Sequence, residues 1–319
     1  MKILLAPMEG VLDAPLREIL TRLGRYDLCV SEFIRITDQL LPPKVFYRLC
    51  PELYKGGVTD AGTPVRVQLL GNNPETLASS ALKAVNMGSP GIDLNFGCPA
   101  KTVNKNKGGA ILLKEPESIF KVIEAVRQAV PDDIPVTAKM RLGFDHDDNA
   151  LAIAKGIQEA GANELVIHAR TKVQGYKPPA HWHLLAEIKQ ALSIPLIANG
   201  EVWSLEDYKT CREASLCDDV MIGRGAIASP FLIEQIRAYQ KNEEAPARSW
   251  DKDIKPLLLT YYLSCEPDGT HKHDAYLLGR VKQWLHMLSW QHPEAKEAFS
   301  AVKRLKNKSE IFNALELQH

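Results

Sequence analysis

Short apolar runs alternate with longer amphipathic stretches along most of the chain. The strand-like runs are Ile3–Met8, Leu28–Phe33, Val65–Leu70, Gly91–Asn95, Val136–Arg141, Glu164–Ala169, Leu196–Asn199 and Val220–Ile222. Between them the apolar spacing changes to a helical period over Pro15–Leu23, Pro74–Met87, Glu117–Ala129, Asn149–Ala160, His183–Ala191, Leu205–Ala214 and Pro230–Tyr239. Glycines close helices at Met87-Gly88 and Ala160-Gly161, and prolines open strands at Ile134-Pro135 and Ile194-Pro195. Repeated βα units in this number predict a (β/α)8 TIM barrel rather than an open doubly wound sheet. The first strand is not followed by Gly-x-Gly-x-x-Gly, which argues against a dinucleotide-binding unit.

After the barrel pattern, Gln240–Trp250 is polar and reads as a linker. Ile254–Leu263, Tyr276–Leu288 and Pro293–Leu305 then read as three helices. The expected organisation is α/β, with a catalytic barrel over 1–240 and a small all-helical domain over 241–319.

A barrel carries its chemistry at the C-terminal ends of its strands. Those ends hold Pro7-Met8-Glu9, Glu32 with Arg35, Gln68, Asn95 with Cys98, Lys139 with Arg141, His168 with Arg170, Asn199-Gly200-Glu201 and Gly223-Arg224-Gly225. Gly97 and Pro99 fix the backbone around Cys98, a thiol able to give or take a proton. Lys101, Lys105 and Lys107 follow it, and positive surroundings lower a thiol pKa. The alternative is an inert buried cysteine. The Asn-Gly-Glu and Gly-Arg-Gly loops suit a mononucleotide phosphate, or else merely make turns. Lys139 inside an apolar strand needs an anionic partner. It is suited to a reduced flavin ring, to Schiff-base formation, or to an ion pair with an inward carboxylate such as Glu32. Gln68 suits the imide edge of a flavin or a buried amide network, and His168 suits cofactor, base or core. Asn95 suits a substrate carbonyl or a brace for the Cys98 loop, and Tyr176 a stacked nucleotide or a loop cover.

Composition narrows the field. Of 319 residues, 45% are hydrophobic and 24% charged, and 39 basic side chains balance 39 acidic ones. A net charge of zero leaves no global basic footprint, so any polyanion must be held by local clusters. The six cysteines form no CxxC pair, which fits a reducing, cytoplasmic setting without a metal. No stretch approaches the ~18 apolar residues of a membrane span, and the short apolar start is no signal peptide.

Taken together, Ala6-Pro7-Met8-Glu9-Gly10, Gln68-Leu69-Leu70-Gly71, Asp93-Leu94-Asn95-Phe96-Gly97-Cys98-Pro99, Lys101, Gly108-Gly109-Ala110, Lys139-Met140-Arg141-Leu142-Gly143, His168-Ala169-Arg170-Thr171, Asn199-Gly200-Glu201 and Met221-Ile222-Gly223-Arg224-Gly225 resemble the tRNA-dihydrouridine synthases. Arg35 to Pro42 and Arg280 to Leu285 resemble the bacterial C-type branch of that family, which implies reduction of uridine 16 in the D-loop of tRNA. The resemblance implies FMN over the barrel mouth, held by Pro7, Met8, Glu9, Gln68, Lys139, His168, Asn199, Gly200, Glu201, Gly223 and Arg224. It implies NADPH as reductant, hydride transfer from flavin N5 to uracil C6, and a proton from Cys98 to C5. Candidate substrate and tRNA contacts are Arg35, Asn95, Lys101, Arg141, Arg170 with Lys172, Tyr176, Arg280 and Lys282, with Lys303-Arg304-Lys306-Lys308 as a further basic run. A monomer is expected. The competing readings are a free-pyrimidine flavin oxidoreductase of the dihydroorotate type, a Schiff-base lyase using Lys139, and a non-catalytic RNA-binding barrel.

Overall fold

The structure, a computed structural model, describes residues 1–265 and 274–317. Among the described residues nine strands run β1 Ile3–Leu5, β2 Leu28–Val30, β3 Ile34–Arg35, β4 Val65–Leu70, β5 Ile92–Phe96, β6 Val136–Arg141, β7 Glu164–His168, β8 Leu196–Asn199 and β9 Asp219–Ile222. All pairings between them are parallel. The order β2-β1-β9-β8-β7-β6-β5-β4 is closed by β2 against β4, which makes an eight-stranded ring. The expected second strand is broken. Ser31 turns its hydroxyl inward to accept from the Gln68 N–H at 3.2 Å, and β3 resumes beside Leu69 and Leu70. A serine that competes with the backbone for a ladder bond interrupts pairing in just this way.

The inside of the ring has two chemically distinct halves. Leu4, Ala6, Leu28, Val30, Val166, Ile197 and Met221 pack into an apolar cluster contributed by β1, β2, β7, β8 and β9. The inward positions of β4, β5 and β6 are Arg66 and Gln68, Asp93 and Asn95, and Thr137, Lys139 and Arg141, as the period of two along each strand requires. At the N-terminal end of the strands Arg66 pairs with Glu164 at 2.6 Å, and Lys2 approaches the same carboxylate at 3.5 Å. The Arg66 and Glu164 side chains retain only 12% and 9% of their exposure, so each charge depends on the other.

Contacts divide the chain into two units. The first comprises Met1–Ala14, Tyr26–Val202 and Glu206–Gly223; the second comprises Pro15–Arg25, Trp203–Leu205 and the chain from Arg224 onward. In the second unit the described residues form helices Leu232–Lys241, Lys255–Ser264, Asp274–Leu288, Pro293–Val302 and Lys308–Ala314. Trp284 is buried, donates its indole N–H to the Ile227 carbonyl at 3.1 Å and meets Tyr261 edge-on. One expectation needs correction. The last expected helix stops at Val302, and Asn307 starts another by accepting from the Ser309 N–H at 2.8 Å and the Glu310 N–H at 3.3 Å. The polar stretch before Trp250 is tied down, because Arg248 holds Glu234 at 2.6 Å and Asp253 at 3.0 Å. No helix among the described residues is long and apolar enough to cross a membrane.

Replacing Glu164 by Gln leaves the Arg66 guanidinium without its countercharge. Urea unfolding of Glu164→Gln is expected to show a loss of about 3 kcal/mol with an unchanged denaturant slope.

Candidate active site

The strand register brings the inward polar residues of neighbouring strands side by side. Gln68 lies opposite Asp93, Asp93 opposite Thr137, Asn95 opposite Lys139, Arg141 opposite His168, and His168 opposite Asn199. The Asp93 carboxylate, with 1% exposure, accepts from the Gln68 Nε2 at 2.6 Å and from the Thr137 hydroxyl at 2.7 Å. Burial raises its pKa, against the Gln68 and Thr137 hydrogen bonds and the charges of Arg66 and Lys139. Gln68 was expected to meet a cofactor, but it is fully buried. Its Oε1 accepts from the Asn95 Nδ2 at 2.8 Å, so both ends of the amide serve the barrel's own residues.

Asn95 does what a brace would. Its Oδ1 accepts from the Gly97 N–H at 3.0 Å and the Cys98 N–H at 2.9 Å. The other side of the Cys98 peptide is fixed as firmly. Its carbonyl accepts from Asn104 Nδ2 at 2.8 Å and from the Ala110 N–H at 3.1 Å. The Gly108-Gly109 pair explains itself here. Gly109 has φ +65, and a Cβ on it would sit 2.8 Å from the Cys98 carbonyl oxygen.

The thiol itself is half-buried. Burial pushes its pKa above the ordinary cysteine value and Glu9 adds to the rise, while a hydrogen bond from the Ala100 backbone, Arg141 and Lys139 oppose it. The expectation that the following lysines would activate the thiol is corrected. Lys101, Lys105 and Lys107 are exposed, and burial leaves the thiol above its ordinary value. Lys139 is moved the other way. Burial and the neighbouring Arg141 lower it to about 8, with Asp93 and Cys98 resisting. Its Nζ donates to Asn199 Oδ1 at 2.9 Å, and Asn199 in turn donates to the Met221 carbonyl at 2.8 Å. The carboxylate that Lys139 senses is Asp93, not Glu32, which accepts from the Gly10 N–H at 2.5 Å.

Around the rim, Gly200 has φ +113, and a Cβ on it would come within 2.8 Å of the His168 ring. Trp182 donates its indole N–H to the Gly200 carbonyl at 2.9 Å and fixes that turn. Pro7 and Met8 are half-buried, and a Cβ on Gly223 would lie 3.3 Å from the Met8 sulfur. Glu201, expected to meet a cofactor, forms an ion pair with Arg170. Arg224 belongs to the second unit, where its guanidinium lies 5.0 Å from the Trp203 ring centre.

The expected substrate and tRNA contacts fare unevenly. Arg35 and Lys101 are exposed, and Arg35 carries its charge to Glu9. Tyr176 is 53% exposed, its ring 6.0 Å from His168 and 5.2 Å from the Arg141 guanidinium. Two others are corrected. Arg170 has no exposed surface; it holds the Lys177 carbonyl at 2.7 Å and the Pro179 carbonyl at 3.3 Å beside its pair with Glu201. Arg141 is 3% exposed and ties the Gly97 carbonyl at 2.9 Å to those of Thr171 at 3.1 Å and Gly175 at 2.8 Å. In the second unit Arg280 donates to the Tyr261 hydroxyl at 3.0 Å, and Lys282 to the Leu305 carbonyl at 2.8 Å. They are two residues apart on one helix and so diverge. Sequence reasoning missed the roles of Asp93 and Asn104. The signal for Asp93 was present, because a residue two before Asn95 on a strand shares its face.

The family model for dihydrouridine synthases (Dus) matches residues 4–316. A protein of Aquipseudomonas alcaligenes named tRNA-dihydrouridine(16) synthase is 51% identical over 304 residues, covering 95% of this chain and 95% of its own. A Pseudomonas syringae pv. tomato protein of the same name is 50% identical over 304 residues, again covering 95% of each. Among solved structures, a 2-naphthoyl-CoA reductase in complex with 2-naphthoyl-CoA shares the barrel fold, with a TM-score of 0.56 and 14% identity over 76% of this chain and 50% of that one. With a match that runs nearly end to end and relatives at half identity, the chain belongs to the dihydrouridine synthase family.

Proposed function

We propose that this chain is an FMN-dependent tRNA-dihydrouridine synthase that reduces uridine 16 of the D-loop, with NADPH as the source of electrons. The observation that carries the reading is a half-buried thiol on a hydrogen-bonded loop at the barrel mouth, its pKa raised by burial and opposed by the charges of Arg141 and Lys139. Family membership and the names of relatives at half identity support the substrate and the position.

The residues fit the cofactor. Lys139 offers an ammonium with donors beyond its bond to Asn199, which suits the anionic edge of a flavin. Gly200 keeps the His168 side of the mouth clear of a side chain. FMN, when bound, supplies the hydride delivered to C6 of the uracil ring. The base has to leave its stack to enter such a mouth, and Tyr176 offers an exposed aromatic face beside His168 on which a nucleotide can stack.

The remaining step belongs to the protein. The Cys98 Sγ–H gives its proton to C5, and the thiolate left behind is stabilised by the Ala100 N–H, Arg141 and Lys139. A raised thiol pKa suits that role, because the acid must arrive with its proton. The lowered Lys139 remains largely an ammonium at neutral pH. RNA grip is assigned to exposed basic side chains such as Arg35 and Lys101. Lys303, Arg304 and Lys306 are exposed as well, and could add phosphate contacts.

Cys98→Ala is expected to lower dihydrouridine formation on unmodified tRNA by about a hundredfold or more while tRNA binding in a filter assay stays near that of the wild type. Full turnover by that variant would refute the proton donor. The pH dependence has a definite sign. Lys139 loses its proton as pH rises through about 8, so kcat/KM is expected to fall on that side. Lys139→Arg, which keeps its charge, is expected to move the alkaline limb upward. An unmoved limb would assign it to another group.

A further inference from the structure

We propose that Asp93, which touches neither the thiol nor the open mouth, is the positioning residue of this site: it fixes which way the Gln68 and Asn95 amides face, and so holds the loop that carries Cys98. The inference rests on the reading of Cys98 as proton donor. The Asp93 carboxyl accepts on both of its oxygens, whereas a carboxamide has one accepting and one donating end and can be turned by half a revolution.

The Asp93 oxygen at 2.6 Å therefore compels the Gln68 Nε2 to face it. The Gln68 Oε1 must then face Asn95, and it accepts from the Asn95 Nδ2 at 2.8 Å. That leaves the Asn95 Oδ1 as the end turned toward the loop, where it accepts the N–H groups of Gly97 and Cys98. Reversing any one amide would set donor against donor further along. Thr137 holds the second carboxylate oxygen at 2.7 Å, and the carboxylate and Gln68 are both buried, so neither turns to water instead. The chain of polarity starts at a group that only accepts, and it ends on backbone N–H groups that only donate, one of them in the peptide of the reactive cysteine.

The test uses the full-length protein with its bound flavin. Alkylation of Cys98 by iodoacetamide is followed against pH by mass spectrometry, with half-buried Cys265 as internal reference. The variants are Asp93→Leu, which removes both acceptors, and Asp93→Asn. The latter keeps an oxygen for Gln68 and turns its amino group to Thr137, whose hydroxyl can redirect to the Ile92 carbonyl at 3.3 Å. In Asp93→Leu the freed loop exposes the thiol. Alkylation of Cys98 at neutral pH is expected to rise by about threefold or more, with its midpoint moving down toward ordinary cysteine. Dihydrouridine kcat is expected to fall about tenfold with KM for tRNA little changed. Asp93→Asn should bring the Cys98 alkylation profile back to that of the wild type.

A folded Asp93→Leu with wild-type Cys98 reactivity would overturn the proposal, as would an Asp93→Asn profile no closer to wild type than that of Asp93→Leu. If Asp93→Leu fails to fold, Gln68→Met cuts the next link and is judged by the same alkylation criterion. Full turnover by Cys98→Ala would remove the proton-donor reading alone, because the alkylation result stands whether or not the thiol reacts with substrate.

Discussion

Polar side chains can line the inside of a closed barrel only if they bond to one another, because water cannot reach them there. In this chain that constraint is met along β4, β5 and β6, where Gln68, Asp93, Asn95 and Thr137 bond to one another, while Arg66 reaches Glu164 on β7 and Lys139 reaches Asn199 on β8. The facing half is apolar, from Leu4 to Met221, and supplies ordinary core packing. Rigidity and chemistry are thereby separated in space. Hydrophobic burial closes the ring, while a bonded polar network, costly to break, sets the geometry of the mouth.

The same low-polarity surroundings act in opposite directions on the two reactive groups at the mouth. Burial disfavours the charged form of each, so it raises the thiol and lowers the ammonium. Their mutual interaction works against both shifts, since a thiolate beside an ammonium is favourable. Both groups therefore hold their protons near neutrality, and the site presents two potential proton sources and no strong base. That favours a reaction in which the protein completes what a hydride donor begins, and disfavours a lyase that needs a neutral lysine. Lys139 is also engaged by Asn199 and flanked by Arg141.

Much of this was legible from residue order. The eight ring strands emerge from apolar runs within a few residues of their observed ends, because parallel strands buried on both faces have to be apolar where they are not functional. Cys98 stood out because glycine and proline flank it. What was hidden falls into two kinds. Arg170 read as an RNA contact and Arg141 as a holder of the base, yet each spends donors on carbonyls of neighbouring loops. Charge is visible in a sequence, and burial of a charge is not. The helix Lys308–Ala314 was overlooked because Lys303 to Lys308 reads as one basic run, although Asn307 followed by Glu310 is a recognisable helix start. The break at Ser31 was beyond pattern reasoning, since it turns on one hydroxyl competing with a carbonyl.

The loops of the mouth are connected in a manner that follows from these buried arginines. Arg141 joins the Cys98 loop to the segment that presents Tyr176, and Arg170 joins the turn at Glu201 to the carbonyls of Lys177 and Pro179. The exposed tyrosine is therefore anchored at both ends of its loop by buried cations. A stacking surface held that way loses little freedom when a base arrives, which lowers the entropic cost of capture. On the proposed reading the arginines serve substrate binding by holding the loop that carries Tyr176. Arg141 in particular ties the loop of the aromatic face to the loop of the thiol, the two groups that the proposed reaction brings to one base.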